Sequence, residues 1–257
     1  MGIQYWVLRE PAAQGTGAAQ AQPAPPEELA PPAVGDDPAR PAPAVADAPL
    51  THASPRAAEP APSPHDDNLD LIHAEIARCT ACALHQSRTR TVPGVGVAQT
   101  DWLVVGEAPG AEEDRRGEPF VGRAGKLLDA MLFSLGLDRH MLYITNIVKC
   151  RPPNNRDTAA DEADACAGYL QRQIAVLQPK IMLAVGRVAA QRLLGVDTPV
   201  GRLRGQVHRH SSGVPVVVTY HPAYLLRSPL EKRKAWADLQ LAARLLAEPR
   251  AQAGADQ

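Results

Sequence analysis

The sequence predicts a three-layer α/β/α sandwich around a central four-stranded, mostly parallel sheet, and three observations carry that prediction. Four short apolar runs, WLVVG, LYITNIV, IMLAVG and VPVVVT, are rich in Val and Ile and lack clean polar alternation. That pattern suits strands buried on both faces. Helical patterns separate the runs, and a repeating strand–helix order places helices on both sides of a parallel sheet. Polar or Gly-rich features, GEAPG at 106–110, Asn146 and YHPAY at 220–224, fall at the ends of the first, second and fourth runs. The carboxyl edge of such a sheet is where ligands bind.

Each element has a local reason. LDLIHAEIARC carries apolar residues at helical spacing, with Asn68 placed to cap its start. DWLVVG is a strand running into the GEAPG turn, and GRAGKLLDAMLFSLGL is a helix ending near Gly136. LYITNIVK is the second strand. A long helix starts at Asp157 or Thr158 and runs to about Leu177, with Pro179 beyond its end. KIMLAVG is the third strand, and RVAAQRLLG is a short helix closed by Gly195. VPVVVTYHP is the fourth strand, and a last helix covers about Leu230 to Leu246.

Composition divides the chain. Of 25 prolines, 14 lie between Pro11 and Pro64. Residues 1–66 carry 3 basic and 8 acidic side chains, a net of −5; residues 67–257 carry 24 and 20, a net of +4. The Ala/Pro-rich stretch 11–66 has too few large apolar side chains to offset the entropy of ordering, so it reads as a disordered linker, as does the tail 248–257. Residues 1–10, MGIQYWVLRE, form an apolar-aromatic peptide. Two readings of it stand side by side: a docking motif for a protein partner, or a segment packing loosely on the folded domain, residues 67–247. The mild positive balance of that domain permits nucleic-acid binding through a local patch but does not by itself indicate it. No run of about 18 apolar residues is present, so no membrane span is expected. No secretory signal is evident, so the expected location is the cytoplasm, and nothing in the sequence argues against a monomer.

A reducing compartment favours ligation over disulfides for the four cysteines. Their spacing is Cys79-x2-Cys82, 67 residues, then Cys150-x15-Cys166. Four thiolates with no companion histidine suit a tetrahedral zinc or a cubane iron–sulfur cluster, and spacing alone does not separate the two. A redox CxxC with two buried structural cysteines is the third reading.

Four stretches in order, CTACALHQSRTRTVPGVG, GEAPGAEEDRRGEPFVGRAGKLLD, ITNIVKCRPPNNR and TYHPAYLLR, resemble the family 4 uracil-DNA glycosylases, the iron–sulfur members of that superfamily. The resemblance covers about residues 68–245. It implies a uracil-DNA glycosylase-like fold and one structural 4Fe–4S cluster on Cys79, Cys82, Cys150 and Cys166. It also implies excision of uracil from single- or double-stranded DNA as a step of base excision repair. Such an enzyme must take the nucleotide out of the stack, hold the base, stabilise the departing anion and position water.

The resemblance assigns those tasks to residues. Phe120 stacks on the flipped uracil, although in a Gly-rich loop it reads by itself as a core anchor. The Asn146 side-chain amide reads the O4 and N3–H edge, with a backbone-satisfied strand-end Asn as the plainer reading. Backbone groups of Gly106, Ala108, Pro109 and Gly110 hold the base. His221 hydrogen-bonds uracil O2, where charge accumulates. Other branches carry an aspartate at the position of Ala108 to orient water. Glu107 is the nearest carboxylate here and takes that role or only shapes the pocket, with Glu113 and Asp114 in reserve. Tyr224, Leu225, Leu226 and Arg227 form an apolar wedge beside a phosphate-binding arginine. Arg123, Lys126, Lys149, Arg151 and Arg156 are further phosphate candidates. The alternative function is a non-catalytic or covalently trapping uracil-DNA binder. A trapping relative carries a nucleophilic histidine after the second strand, and KCRPPNNRDT has none. A metal-bearing adaptor that works through residues 1–10 is the remaining possibility.

Overall fold

A computed structural model describes residues 68–247. The expectations for residues 1–10, 11–66 and 248–257 lie outside the described residues. The first helix, α1 (Leu69–Arg78), starts as expected: the Asn68 side-chain oxygen accepts the Leu71 N–H at 2.9 Å. Ile72 and Ile76 are its buried stripe, and α1 packs on the long helix α4 (Ala160–Leu177).

The sheet has six strands. In chain order they are β1 (Val95–Gly96), β2 (Trp102–Gly106), β3 (Tyr143–Asn146), β4 (Ile181–Val185), β5 (Val207–Arg209) and β6 (Pro215–Thr219). Across the sheet the order is β1-β3-β2-β4-β6-β5. The four inner strands are mutually parallel, as expected, and β1 and β5 add antiparallel edges that the four-strand expectation omitted. Both edges are too short, at two and three residues, to leave a periodic signal.

The strand interiors explain why apolar runs lacked alternation. Trp102 and Val104 of β2 face one layer with Ile144, Leu183 and Val217, against Leu128 and Leu132 of α3 (Arg123–Phe133) and Leu239 and Ala242 of α8 (Lys232–Ala247). Leu103 and Val105 face the other layer with Tyr143, Met182 and Val218, against α4 and α5 (Arg187–Leu194). Both faces are covered, so the interiors of the four inner strands are mostly apolar, with Thr145, Asn146 and Thr219 the buried polar exceptions near their carboxyl ends. Each fully buried Leu, Ile or Val contributes roughly 1.5–3 kcal/mol by leaving water.

Three further short helices were not anticipated: α2 (Ala111–Arg116), α6 (Val200–Leu203) and α7 (Pro222–Arg227). The long helix begins at Ala160, later than Asp157 or Thr158, and the Glu162 carboxylate accepts the Ala159 N–H at 2.9 Å at its start. The last helix begins at Lys232, after a 3-10 turn over Pro229–Glu231. Among the described residues no helix is long and apolar enough to cross a membrane.

Candidate active site

Gly106 ends β2, and Asn146, its register partner, ends β3. The two strands thus deliver a glycine and a side-chain amide side by side at the carboxyl edge. A Cβ on residue 106 would stand 2.4 Å from Asn146 Oδ1 and 2.6 Å from Phe120 Cζ. Glycine is required there because the amide and the ring close over its α-carbon. Asn146 is 1% exposed, and its Oδ1 accepts no hydrogen bond from the protein. A buried acceptor without a donor is uncommon and suits an N–H brought by a ligand.

Phe120 lies between α2 and α3 and is buried, with a left-handed backbone at φ 53°. Its ring centroid lies 5.7 Å from that of His221, the planes tilted by 31°. His221 caps the start of α7, and its Nδ1 accepts the Ala223 N–H at 3.1 Å. An Nδ1 used as acceptor carries no proton, so the neutral ring presents Nε2–H. Burial pulls the imidazole down from 6.5 to about 4, with the Arg227 charge adding to the effect and Glu113 opposing it. Gly186, at φ 99°, lets β4 pass close behind: a Cβ there would stand 3.0 Å from His221 Cβ.

The carboxylates occupy separate places. Glu107 is half-buried, and its Oε1 accepts the Thr158 N–H at 3.0 Å, just before α4. Its backbone carbonyl accepts the Val148 N–H at 3.1 Å, tying the GEAPG turn to the segment after β3. Glu113 Oε1 accepts the N–H groups of Val121 and Gly122, each at 3.0 Å, and so organises the loop that carries Phe120. Asp114 is buried and accepts the Thr89 and Arg90 N–H groups. In the turn itself, Ala108 and Pro109 lead to Gly110, which caps α2.

The structure therefore brings Gly106, Phe120, Asn146 and His221 together and holds Glu107 at their margin. Two assignments need correction. Leu225 is 0% exposed on the inner side of α7, which packs on α3, so it cannot enter a base stack. Tyr224, Leu226 and Arg227 are exposed on the same helix. Lys149 is 1% exposed and therefore cannot touch phosphate. Its Nζ donates to Thr145 Oγ1 at 2.7 Å, the Asn146 carbonyl at 2.7 Å and Gln173 Oε1 at 2.8 Å. Arg151 donates to Asn155 and Arg156 pairs with Glu162, whereas Arg123 and Lys126 are exposed at the start of α3. Leu230, expected as the start of the last helix, instead lies 89% exposed in the 3-10 turn before it.

All four cysteines are free thiols and line one cavity together with Ile76, Arg88, Lys149 and Tyr169. Cys79 ends α1, Cys82 precedes the 3-10 turn Ala83–Gln86, Cys150 follows β3 and Cys166 lies within α4. Arg88 Nη1 donates to Cys150 Sγ at 3.1 Å. Burial pushes the Cys150 thiol up and the Cys166 thiol to about 11. Among the described residues no three His, Cys, Asp or Glu side chains converge on a single-ion position; the four cysteines line a cavity instead.

The uracil DNA glycosylase superfamily model matches residues 93–240, more than half of the chain. Type-4 uracil-DNA glycosylases are similar to this chain. That of Archaeoglobus fulgidus is 46% identical over 170 residues, 63% of this chain and 85% of the relative. That of Pyrobaculum aerophilum is 41% identical over 181 residues, 68% and 92%. That of Thermotoga maritima is 41% identical over 164 residues, 63% and 85%. With this match spanning the sheet and the pocket at its edge, the chain belongs to the uracil-DNA glycosylase superfamily.

Proposed function

We propose that Gly106, Phe120, Asn146 and His221 form a uracil pocket in which this chain cleaves the N-glycosidic bond. The chain is a uracil-DNA glycosylase: it removes uracil from DNA and leaves an abasic site, the opening step of base excision repair. A flipped uracil stacks on Phe120, and its N3–H meets the unpartnered Asn146 Oδ1. As the C1′–N1 bond breaks, the electron pair leaves with the base and charge collects on O2. The His221 Nε2–H points a neutral donor at that oxygen. Such a donor stabilises the transition state more than the ground state, because it acts where charge develops. Water, polarised by Glu107, which the Thr158 N–H fixes, adds to C1′; its oxygen becomes the C1′ hydroxyl and the proton it loses balances the departing uracil anion, which leaves as neutral uracil.

The observation that carries this reading is the His221 tautomer. Its Nδ1 is committed to the backbone, so the Nε2–H is a donor with a fixed direction. Replacing His221 by Ala should lower single-turnover cleavage of a uracil oligonucleotide by about 10²–10³-fold, with binding of abasic-site DNA retained. Unchanged cleavage would overturn the assignment.

Cys79, Cys82, Cys150 and Cys166 would hold a 4Fe–4S cluster. The donor set fits: four unbridged thiols line one cavity, and Arg88 supplies a compensating charge beside Cys150. Bound there, the cluster supplies a cross-link between the end of α1, the segment after β3 and α4. None of the four cysteines that would hold it is a pocket residue, so the cluster would supply structure and not bond cleavage. Iron content and visible absorbance of the purified protein test it, with stoichiometric zinc as the result that would replace it. The exposed Tyr224, Leu226 and Arg227, with Arg123 and Lys126, face DNA.

A further inference from the structure

The stacking residue holds a backbone conformation that it would not adopt unaided. Phe120 sits at φ 53°, in the left-handed region that a bulky side chain rarely enters. Such a conformation persists only when its surroundings over-determine it. Two surroundings do so. Gly125 leaves room: a Cβ there would stand 1.7 Å from the Phe120 carbonyl oxygen. Arg139, on the 3-10 turn Arg139–Met141, grips that carbonyl from the other side. Its Nη1 donates to Phe120 O at 3.1 Å, and its Nη2 donates to Pro119 O. The guanidinium is itself anchored, because Nη1 also donates to Asp129 Oδ1 at 3.0 Å on α3.

We infer that Arg139 is a positioning residue for uracil recognition: with Asp129 behind it, it clamps the Pro119–Phe120 backbone so that the Phe120 ring stays over Gly106 and beside His221. Arg139 lies outside every motif that marks the site and does not itself belong to the pocket. A planar fork of donors holds two successive carbonyls in one fixed geometry, where a flexible ammonium would hold them less rigidly. Pro119 and Phe120 are both buried, so without the fork their carbonyls lose a partner. The left-handed residue then relaxes to an ordinary φ, and the ring swings off the glycine floor. The ring matters only because it stacks on the base, so the inference rests on the proposed pocket.

The test is a double-mutant cycle in the full-length, cluster-loaded protein, read by inhibition with free uracil and by affinity for abasic-site DNA. Arg139→Met is expected to weaken uracil inhibition by about tenfold, an effect of the size seen for coupled neighbours. Affinity for abasic-site DNA, which presents no base, should stay within about twofold. In the Phe120→Ala background the same replacement should cost nothing more, because the clamp has no ring left to hold. An equal cost in both backgrounds would show a general structural role and overturn the clamp, as would unchanged uracil inhibition in Arg139→Met alone. If Phe120→Ala leaves uracil inhibition unchanged, the stacking reading fails and the clamp falls with it. Should Arg139→Met fold poorly, Asp129→Asn runs the same cycle: it frees the guanidinium without removing it and should give a smaller loss, again only when Phe120 is present.

Discussion

At His221 the two ring nitrogens have different employment, and that division sets both chemistry and pH behaviour. Nδ1 is held by the Ala223 N–H, so protonating the ring means breaking a helix-capping contact as well as charging a buried group. Both costs act in the direction of the depressed value, about 4 against the ordinary 6.5. Between those values the unfolded chain binds a proton that the folded chain refuses. Stability is therefore complete above about 6.5 and falls as the pH drops toward 4. Single-turnover cleavage should follow the same sense, flat from pH 8 to 6.5 and declining only as the pH approaches 4. A cationic His221 would give the opposite profile, with the rate falling as the pH rises through 6.5, so a pH–rate series decides between them. None of this was legible in the sequence. HP after an apolar strand marks the histidine, but its tautomer depends on the backbone turning into α7 at that point.

The unit that joins β3 to α4 carries the coupling between the two halves of the site. Asn146 ends the strand, Cys150 follows four residues later, and Lys149 lies buried between them. Its ammonium binds the Asn146 carbonyl, Thr145 and Gln173, and the Gln173 amide in turn donates to the Pro93 carbonyl and the Tyr143 hydroxyl. The Tyr143 hydroxyl also meets His73 of α1 at 2.6 Å. Desolvation draws the ammonium down to about 7, so satisfied acceptors are what keep it in place. Lys149→Met removes three hydrogen bonds from buried acceptors, leaving Gln173 Oε1 with only the 3.4 Å contact from Thr145 Oγ1, which should destabilise the fold by about 2–3 kcal/mol. Thermal unfolding of the cluster-loaded protein measures it. A neutral result would mean that water replaces the ammonium. The four inner strands were legible because burial on both faces makes their sequences continuously apolar. Lys149 was not, since an isolated lysine in a polar, Pro-rich stretch reads as surface. Leu225 was misread for a related reason. A six-residue helix with Pro222 at its start is too short for periodicity to show which leucine faces inward. The left-handed Phe120 leaves no trace either, since glycine is the residue that ordinarily announces such a turn.

For the whole molecule, the sequence divides where its charge does. Residues 1–66 contribute a net of −5, and residues 67–257 a net of +4. Every described element lies between Leu69 and Ala247, and the family match lies within it at 93–240. All residues placed at the pocket, the cysteine cavity and the DNA-facing helices belong to that part. We therefore expect a chain beginning at residue 67 to keep the proposed cluster and to cleave a short uracil oligonucleotide within about twofold of the full-length rate, since every residue placed at the site lies in the part retained. Its salt dependence should also be unchanged. The slope of log affinity against log salt reflects how many phosphates are contacted, about 0.9 per contact on duplex DNA, and not the net charge of the chain. If the acidic segment 1–66 makes no phosphate contact, removing it shifts the curve toward tighter binding and leaves its slope alone. Titrations of both forms on an uncleavable abasic-site duplex across a range of salt measure this directly. A shallower slope in the shortened chain would show that Arg9, Arg40 or Arg56 contacts phosphate, and would assign residues 1–66 a part in DNA binding.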